Sequence, residues 1–390
     1  MKYFCLLLFL FTIVILPQKA NMDIQSIINN VKSKYAPDKR VAVFNVEGKL
    51  ENKTVELTGE TNKIEARNEL ISSIPQDFKI KDKIILLPSK ELGDKVYGVI
   101  NLSVANIRSK PGDPEEMATQ GLLGYPVRIL KAKGGWCLIQ TPDNYIGWVD
   151  DDGIELMTQN KINDWCNSKK IIYTNTYGTT YSNSDVNSLP VSDIVKGNIL
   201  QFIEVTGDFT KVKYPDGRIA YIPSSFVQDY DKWVSSRNLT SENVVSTGKT
   251  FLGIPYLWGG TSLKGVDCSG FTKTVYYLNG LILPRDASQQ VFAGDEIDTK
   301  NGFDNLKPGD LLFFGTKAKG TTKERVTHVA MYIGNSEFIH SSGRVRINSL
   351  DKNKDNFSSY RFNGFIRAKR MINAKDNSLL KPVGNLFNNF

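Results

Sequence analysis

The chain has few of the side chains that most catalysis relies on. Among 390 residues there are two His and four Cys. One Cys with two His would suit zinc by ligand type, but no pair stands at the close spacing of a metal motif, so no metal and no cofactor is expected. Gly at 31 and Pro at 15 are ordinary in number, which excludes a collagen-like or proline-rich scaffold. Beyond residue 20 no apolar run approaches the roughly 20 residues of a membrane span. Charge of one sign is not concentrated either. The 49 Lys and Arg against 41 Asp and Glu leave +8, spread along the chain. That reads as a solvated basic surface rather than a nucleic-acid site, and an anionic substrate or cell envelope would suit it.

What is present describes a globular protein of two or three domains. Hydrophobic residues make up 41% and charged residues 23%, which excludes disorder. The start sets the compartment. Met1-Lys2, an apolar run from Tyr3 to Leu16 and the closing Pro17-Gln18-Lys19-Ala20 form the pattern of a signal peptide over 1–20. The mature protein is therefore expected outside the cytoplasm, periplasmic or extracellular. Gln18 stands where a small residue is preferred, which leaves an uncleaved anchor open. Export would leave Cys137, Cys166 and Cys268. Either the first two pair and one thiol stays free, or all three stay reduced.

Residues 21–92 read as a small α/β unit, with strands at 41–46 and 53–58, a turn marked by Gly48 and a helix over 63–74. No chemistry attaches to it. Residues 93–158 and 159–232 are rich in short strands, and the two blocks share an order. Each has a strand, a tight turn, a strand, an Asp-containing turn and a Gly/Ala-aromatic-aliphatic strand: Pro142-Asp-Asn144 then Gly147-Trp-Val149, and Pro215-Asp-Gly217 then Ala220-Tyr-Ile222. This is a weak internal repeat of two small β-barrels. Residues 233–372 change character, with helices at 243–252 and 268–278 followed by strands at 310–314, 328–333, 337–340 and 364–370, an α+β order. The polar stretch 373–390 reads as a loose tail.

Cys268 stands in Gly265-Val-Asp-Cys-Ser-Gly270, a turn that opens a helix. Unpaired N–H groups and the positive end of the helix dipole favour a thiolate there and can stabilise an oxyanion. Any chemistry needing imidazole must use His328 or His340. They flank Gly334-Asn-Ser336, a turn that would fold their strands into a hairpin and bring them together. His328 can then take the Cys268 proton while His340 orients it.

Pro255-Tyr-Leu-Trp-Gly-Gly260, Asp267-Cys-Ser-Gly-Phe271, Pro308-Gly-Asp-Leu311, Thr327-His-Val-Ala-Met-Tyr-Ile-Gly334 and Phe338-Ile-His340 resemble, in order, the NlpC/p60 cell-wall cysteine peptidases. The resemblance covers about 140 residues. It implies a papain-like catalytic domain with Cys268, His328 and His340 as the triad and peptidoglycan stem peptides as substrates. The two β-rich blocks look like bacterial SH3-like domains, which often accompany such enzymes. Together with Leu283-Pro-Arg-Asp-Ala-Ser288 they resemble the γ-D-glutamyl-L-diamino acid endopeptidases. Those release L-Ala-γ-D-Glu from peptides with a free N-terminal L-Ala. The resemblance gives amine recognition to Asp286, Ser269, Glu116 and Tyr145, with Tyr256 near the nucleophile. Ala287 stands where some relatives have Ser, so one substrate hydrogen bond is in question. The rival readings are a DL-endopeptidase of intact wall and a catalytically dead peptidoglycan-binding module. A wall-bound stem peptide has no free amine, which separates the first rival from the muropeptide enzyme.

Overall fold

The computed structural model of the protein describes residues 22–388 and 390. The expected signal peptide and Cys5 lie outside them. No described helix is long and apolar enough to cross a membrane.

The N-terminal unit begins with α1 (Ile24–Tyr35), capped by the Asp23 carboxylate on the Ser26 N–H. It packs Ile28 and Val31 onto β1 (Phe44–Glu51) and β2 (Thr54–Thr61). α2 (Ile64–Ser72) then crosses over to β3 (Lys79–Leu86), which pairs parallel to β2. The turn lies at Asn52 and Lys53, both at positive φ, and not at Gly48 as the sequence indicates. Gly48 sits inside β1 beneath α1, where a Cβ would fall 2.7 Å from Ile24 Cγ1. It is a packing glycine, not a turn glycine.

Two seven-stranded antiparallel sheets follow. The first comprises β4 (Tyr97–Ile100), β5 (Val104–Arg108), β6 (Met117–Leu122), β7 (Pro126–Lys133), β8 (Trp136–Gln140), β9 (Ile146–Asp150) and β10 (Ile154–Met157). Its order is β10-β4-β7-β8-β9-β5-β6. After α3 (Gln159–Asn167) comes the second: β11 (Lys170–Tyr173), β12 (Tyr177–Tyr181), β13 (Pro190–Val195), β14 (Ile199–Thr206), β15 (Phe209–Lys213), β16 (Ile219–Pro223) and β17 (Val227–Asp229). Its order is β13-β12-β16-β15-β14-β11-β17. Advancing each strand number of the first sheet by seven gives the second in reverse reading, so the internal repeat extends to the whole topology.

α4 (Tyr230–Ser235) and α5 (Ser241–Lys249) lead into the α+β part. Short strands β18 (Thr261–Ser262) and β19 (Gly265–Val266) pair just before α6 (Cys268–Leu278). β20 (Leu281–Ile282), α7 (Ala287–Gln290) and β21 (Asp295–Ile297) come next. β22 (Leu311–Thr316), β23 (Arg325–Gly334), β24 (Glu337–Ser342), β25 (Arg344–Ser349), α8 (Ser359–Gly364) and β26 (Phe365–Arg370) complete a six-stranded sheet in the order β21-β26-β22-β23-β24-β25. α6 is buried nearly all round and packs on β23 and β24. Its polar groups are satisfied internally, Thr274 on the Gly270 carbonyl at 2.7 Å and Tyr276 on the Gly309 carbonyl at 2.6 Å.

The end of the chain is not the loose tail its polarity indicates. β27 (Lys381–Pro382) pairs with β20, Val383 and Leu386 are buried in the main core, and Phe387 meets the Tyr230 ring edge-on at 5.3 Å. A few apolar anchors among polar residues suffice to dock it. Cys137, Cys166 and Cys268 are all free, the first and last buried, which settles the cysteine alternatives in favour of reduced thiols.

Candidate active site

The helix that carries Cys268 is aimed by its cap. Asp267 Oδ1 accepts from the Gly270 N–H at 2.7 Å, fixing the first turn of α6 with Cys268 at its outer end. Gly270 is required there, since a Cβ would lie 1.9 Å from the Gly260 carbonyl oxygen. Asp267 is itself held by the fully buried Arg285, at 2.6 Å from Nη2 to Oδ2 and 3.1 Å from Nη1 to Oδ1. Arg285 Nη1 also donates to Ser269 Oγ at 3.0 Å, and Nε donates to Thr119 Oγ1 on β6 at 2.9 Å. The first seven-stranded sheet thus reaches the start of α6 through one arginine.

Burial, then the Asp267 charge, pushes the Cys268 thiol up to about 11. The helix-terminus argument alone points the other way. The N–H groups of Val329 and Ser269 do favour the thiolate, but desolvation outweighs them.

β23 and β24 form the expected hairpin, with Asn335 and Ser336 at positive φ in its turn. His328 Nε2 lies 2.8 Å from His340 Nδ1, and His340 Nε2 lies 3.0 Å from Asn348 Oδ1 on β25. Asn348 Nδ2 donates to the Asn356 carbonyl at 3.0 Å, which fixes the amide with its oxygen toward His340. His340 must then carry its proton on Nε2, so its Nδ1 is an acceptor. His328 must donate from Nε2, which leaves His328 Nδ1 bare and ready to accept a proton from a thiol. Burial holds His340 down at about 4 and His328 well below the usual imidazole range, with the Arg361 charge acting in the same direction on both. The His328 ring lies tilted beside Phe314, and the His340 ring meets Phe338 in an edge-type contact.

One cleft contains Cys268, Ser269, Tyr256, Asp286, Glu116 and Tyr145 in its lining. Tyr145, at the entrance to β9, donates its hydroxyl to Asp286 Oδ2 at 3.2 Å. Burial and the Asp286 charge keep its phenol protonated. Glu116, on the loop before β6, accepts from Trp258 Nε1 at 2.9 Å. Ser269 is engaged with Arg285 and lies 3.3 Å from Asp267 Oδ1. Tyr256 is half-buried, and burial, then the neighbouring Cys268, raises its phenol. The sequence singles out all of these residues, and the fold gathers them from two parts of the chain into one space.

Residues 253–366 match the NlpC/P60 family, and residues 107–154 match the bacterial dipeptidyl-peptidase SH3 domain. A γ-D-glutamyl-L-lysine dipeptidyl-peptidase of Bacillus cereus is 34% identical over 58% of this chain and 67% of its own length. The Bacillus subtilis protein of the same name is 30% identical over 57% of this chain and 71% of its length. The chain belongs to the NlpC/P60 family. As a member it is a cysteine peptidase with an SH3 domain ahead of the catalytic one. A solved NlpC/P60 protein from Bacillus cereus shares the fold with a TM-score of 0.60 and 25% identity. It spans 71% of this chain and 99% of its own, so the present chain carries parts the other lacks.

Three participants escape sequence reasoning. Arg285 stands inside the quoted Leu283-Pro-Arg-Asp motif but shows no sign of being buried. Asn348 joins the imidazoles only through the β24–β25 register, in which Phe338 faces Asn348. Arg40, from the N-terminal unit assigned no chemistry, donates from Nη1 to Asp286 Oδ2 at 2.8 Å.

Proposed function

We propose that the protein is an exported cysteine peptidase that hydrolyses the γ-D-glutamyl–L-diamino acid amide of peptidoglycan-derived peptides with a free N-terminal L-Ala, releasing L-Ala-γ-D-Glu. The observation that carries this reading is the shared cleft. The nucleophile and the carboxylates of Asp286 and Glu116 line one space, so a peptide seated there can present its ammonium to the acids and its γ-carbonyl to the thiol. The names of its relatives agree with it.

In this reading His328 Nδ1 takes the Cys268 proton as the sulfur attacks the γ-carbonyl of D-Glu. Helix-terminal N–H groups and the protonated phenol of Tyr256 face the oxyanion. The imidazolium, held by His340 and through it Asn348, gives its proton to the departing amine of the diamino acid. Water, deprotonated by His328, then attacks the thioester, the C–S bond breaks, and the thiol is restored as L-Ala-γ-D-Glu leaves. Tyr145 and Ser269 position the acids and the helix terminus that receive the substrate. Residues 233–372 carry the chemistry and 93–158 close one end of the cleft.

Mass spectrometry of L-Ala-γ-D-Glu-L-Lys incubated with residues 21–390 tests this. Release of L-Ala-γ-D-Glu that is lost in Cys268→Ala is the expected outcome. Absence of cleavage by the unmodified protein contradicts the reading and favours a binding module.

A further inference from the structure

The N-terminal unit does more than precede the enzyme. Its loop after α1 is stitched to the first seven-stranded sheet, with the Arg40 carbonyl accepting from the Ile146 N–H at 2.7 Å and the Val41 carbonyl from Gln140 Nε2 at 3.2 Å. Arg40 then extends into the cleft. Its Nη1 donates to Asp286 Oδ2 and to Ser288 Oγ, both at 2.8 Å, while Nε and Nη2 bind Asp38 at 2.8 and 2.7 Å. Asp38 Oδ2 in turn accepts from Gln289 Nε2 at 2.8 Å, so the loop grips the start of α7 from two sides.

The oxygen that Arg40 occupies is the one Tyr145 also binds. The other oxygen of Asp286 lies 4.0 Å from Arg285 Nη1. An ammonium arriving at Asp286 therefore meets a carboxylate already beside two guanidinium groups. At Oδ2 it must share the oxygen with Arg40 or displace it, and at either oxygen like charges at such spacing repel. Arg40 keeps about a third of its side chain exposed.

We propose that Arg40 is a specificity residue contributed by the N-terminal unit: it stands in the place of the substrate's amine at Asp286 and lowers the affinity of the closed end for cationic amino termini. This rests on the amine-recognition role proposed above for Asp286. The unit at 22–92 is thereby part of the substrate site, where it makes the enzyme select for peptides whose remaining contacts outweigh the exchange.

The test is steady-state kinetics of the full chain on L-Ala-γ-D-Glu-L-Lys and its N-acetylated form. Arg40→Gln should lower KM for the free-amine peptide about fivefold, with kcat changed by about twofold at most, and leave the acetylated peptide unaffected. Arg40→Met, which keeps the aliphatic stem, should behave alike, and Arg40→Lys should restore the unmodified KM. In an Asp286→Asn background Arg40→Gln should have no effect, because it acts through that carboxylate. A KM that rises or stays put in Arg40→Gln and Arg40→Met, while Asp286→Asn still penalises only the free-amine peptide, overturns the proposal and leaves the amine reading intact. Equal damage to both peptides in Asp286→Asn removes the amine reading and this proposal with it.

Discussion

The two seven-stranded sheets have one topology and different work. In both, a Pro-Asp turn ends in a backbone hydrogen bond of the same kind, from Thr141 N–H to the Tyr145 carbonyl at 2.9 Å and from Tyr214 N–H to the Arg218 carbonyl at 2.8 Å. The residue at that corner decides the outcome. Tyr145 reaches Asp286 in the cleft, whereas Arg218 pairs with Asp216, lies 4.5 Å over the Tyr214 ring and reaches Asn101 of the first block at 3.4 Å. The docking differs as well. The first sheet meets the catalytic part through buried Thr119 and Gln120, which bind Arg285 and Thr261. The second places Ile172, Val195 and Ile199 in the catalytic core and its Gly197 carbonyl on the Tyr277 hydroxyl at 3.1 Å, with the exposed pair Lys264–Asp193 outside them. A duplicated fold supplies positions, and single side chains at its corners assign them.

This contrast can be broken first at its strongest link. Arg285→Ala leaves Asp267 buried without its cation and should cost about 3–5 kcal/mol, read by urea unfolding. Lys264→Ala, at the exposed contacts with Asp193 and Ser103, should cost at most about 1 kcal/mol. Similar losses would mean that the buried and the exposed ion pairs contribute alike. Next, Tyr145→Phe removes a hydrogen bond to a charged group and should raise KM for the free-amine peptide about tenfold. Arg218→Ala, at the matching corner, should leave kinetics unchanged and stability within about 0.5 kcal/mol.

The smallest effect concerns acid. Neither seven-stranded sheet contains His, so any imidazole contribution to acid unfolding belongs to the catalytic sheet. The folded pKa of His340, about 4, lies below that of an unfolded imidazole. The unfolded chain therefore binds the proton first. Its contribution is full above pH of about 6.5 and is lost as pH falls toward about 4. Thermal midpoints of His340→Gln should fall less steeply over that window than those of the unmodified protein. An unchanged slope would place the acid sensitivity elsewhere.

Much of this was legible in the residues. Cys268 in its Asp-Cys-Ser-Gly setting, the hairpin between the two His and the repeated Pro-Asp turns are local signals, and local signals survive in a sequence. Gly48 misled because a glycine under a helix and a glycine in a turn look alike until the partner, Ile24, is known. A helix end favours the Cys268 thiolate, while burial, which only tertiary packing supplies, raises its thiol pKa. Arg40, Arg285 and Asn348 act across long separations or strand registers, which composition and spacing do not encode. The docked C-terminus rests on Val383, Leu386 and Phe387, too few to raise an apolar signal in a polar stretch.

The central claim is that one cleft joins the Cys268 nucleophile to an amine-binding end built with the first sheet. The most direct measurement compares kcat/KM for L-Ala-γ-D-Glu-L-Lys and its N-acetylated form in the unmodified protein and in Asp286→Asn. The account predicts a strong preference for the free amine that collapses in the variant, with the acetylated peptide cut equally poorly by both. Equal cleavage of the two peptides by the unmodified protein would contradict it and make the enzyme a peptidase of N-acylated, wall-linked stems.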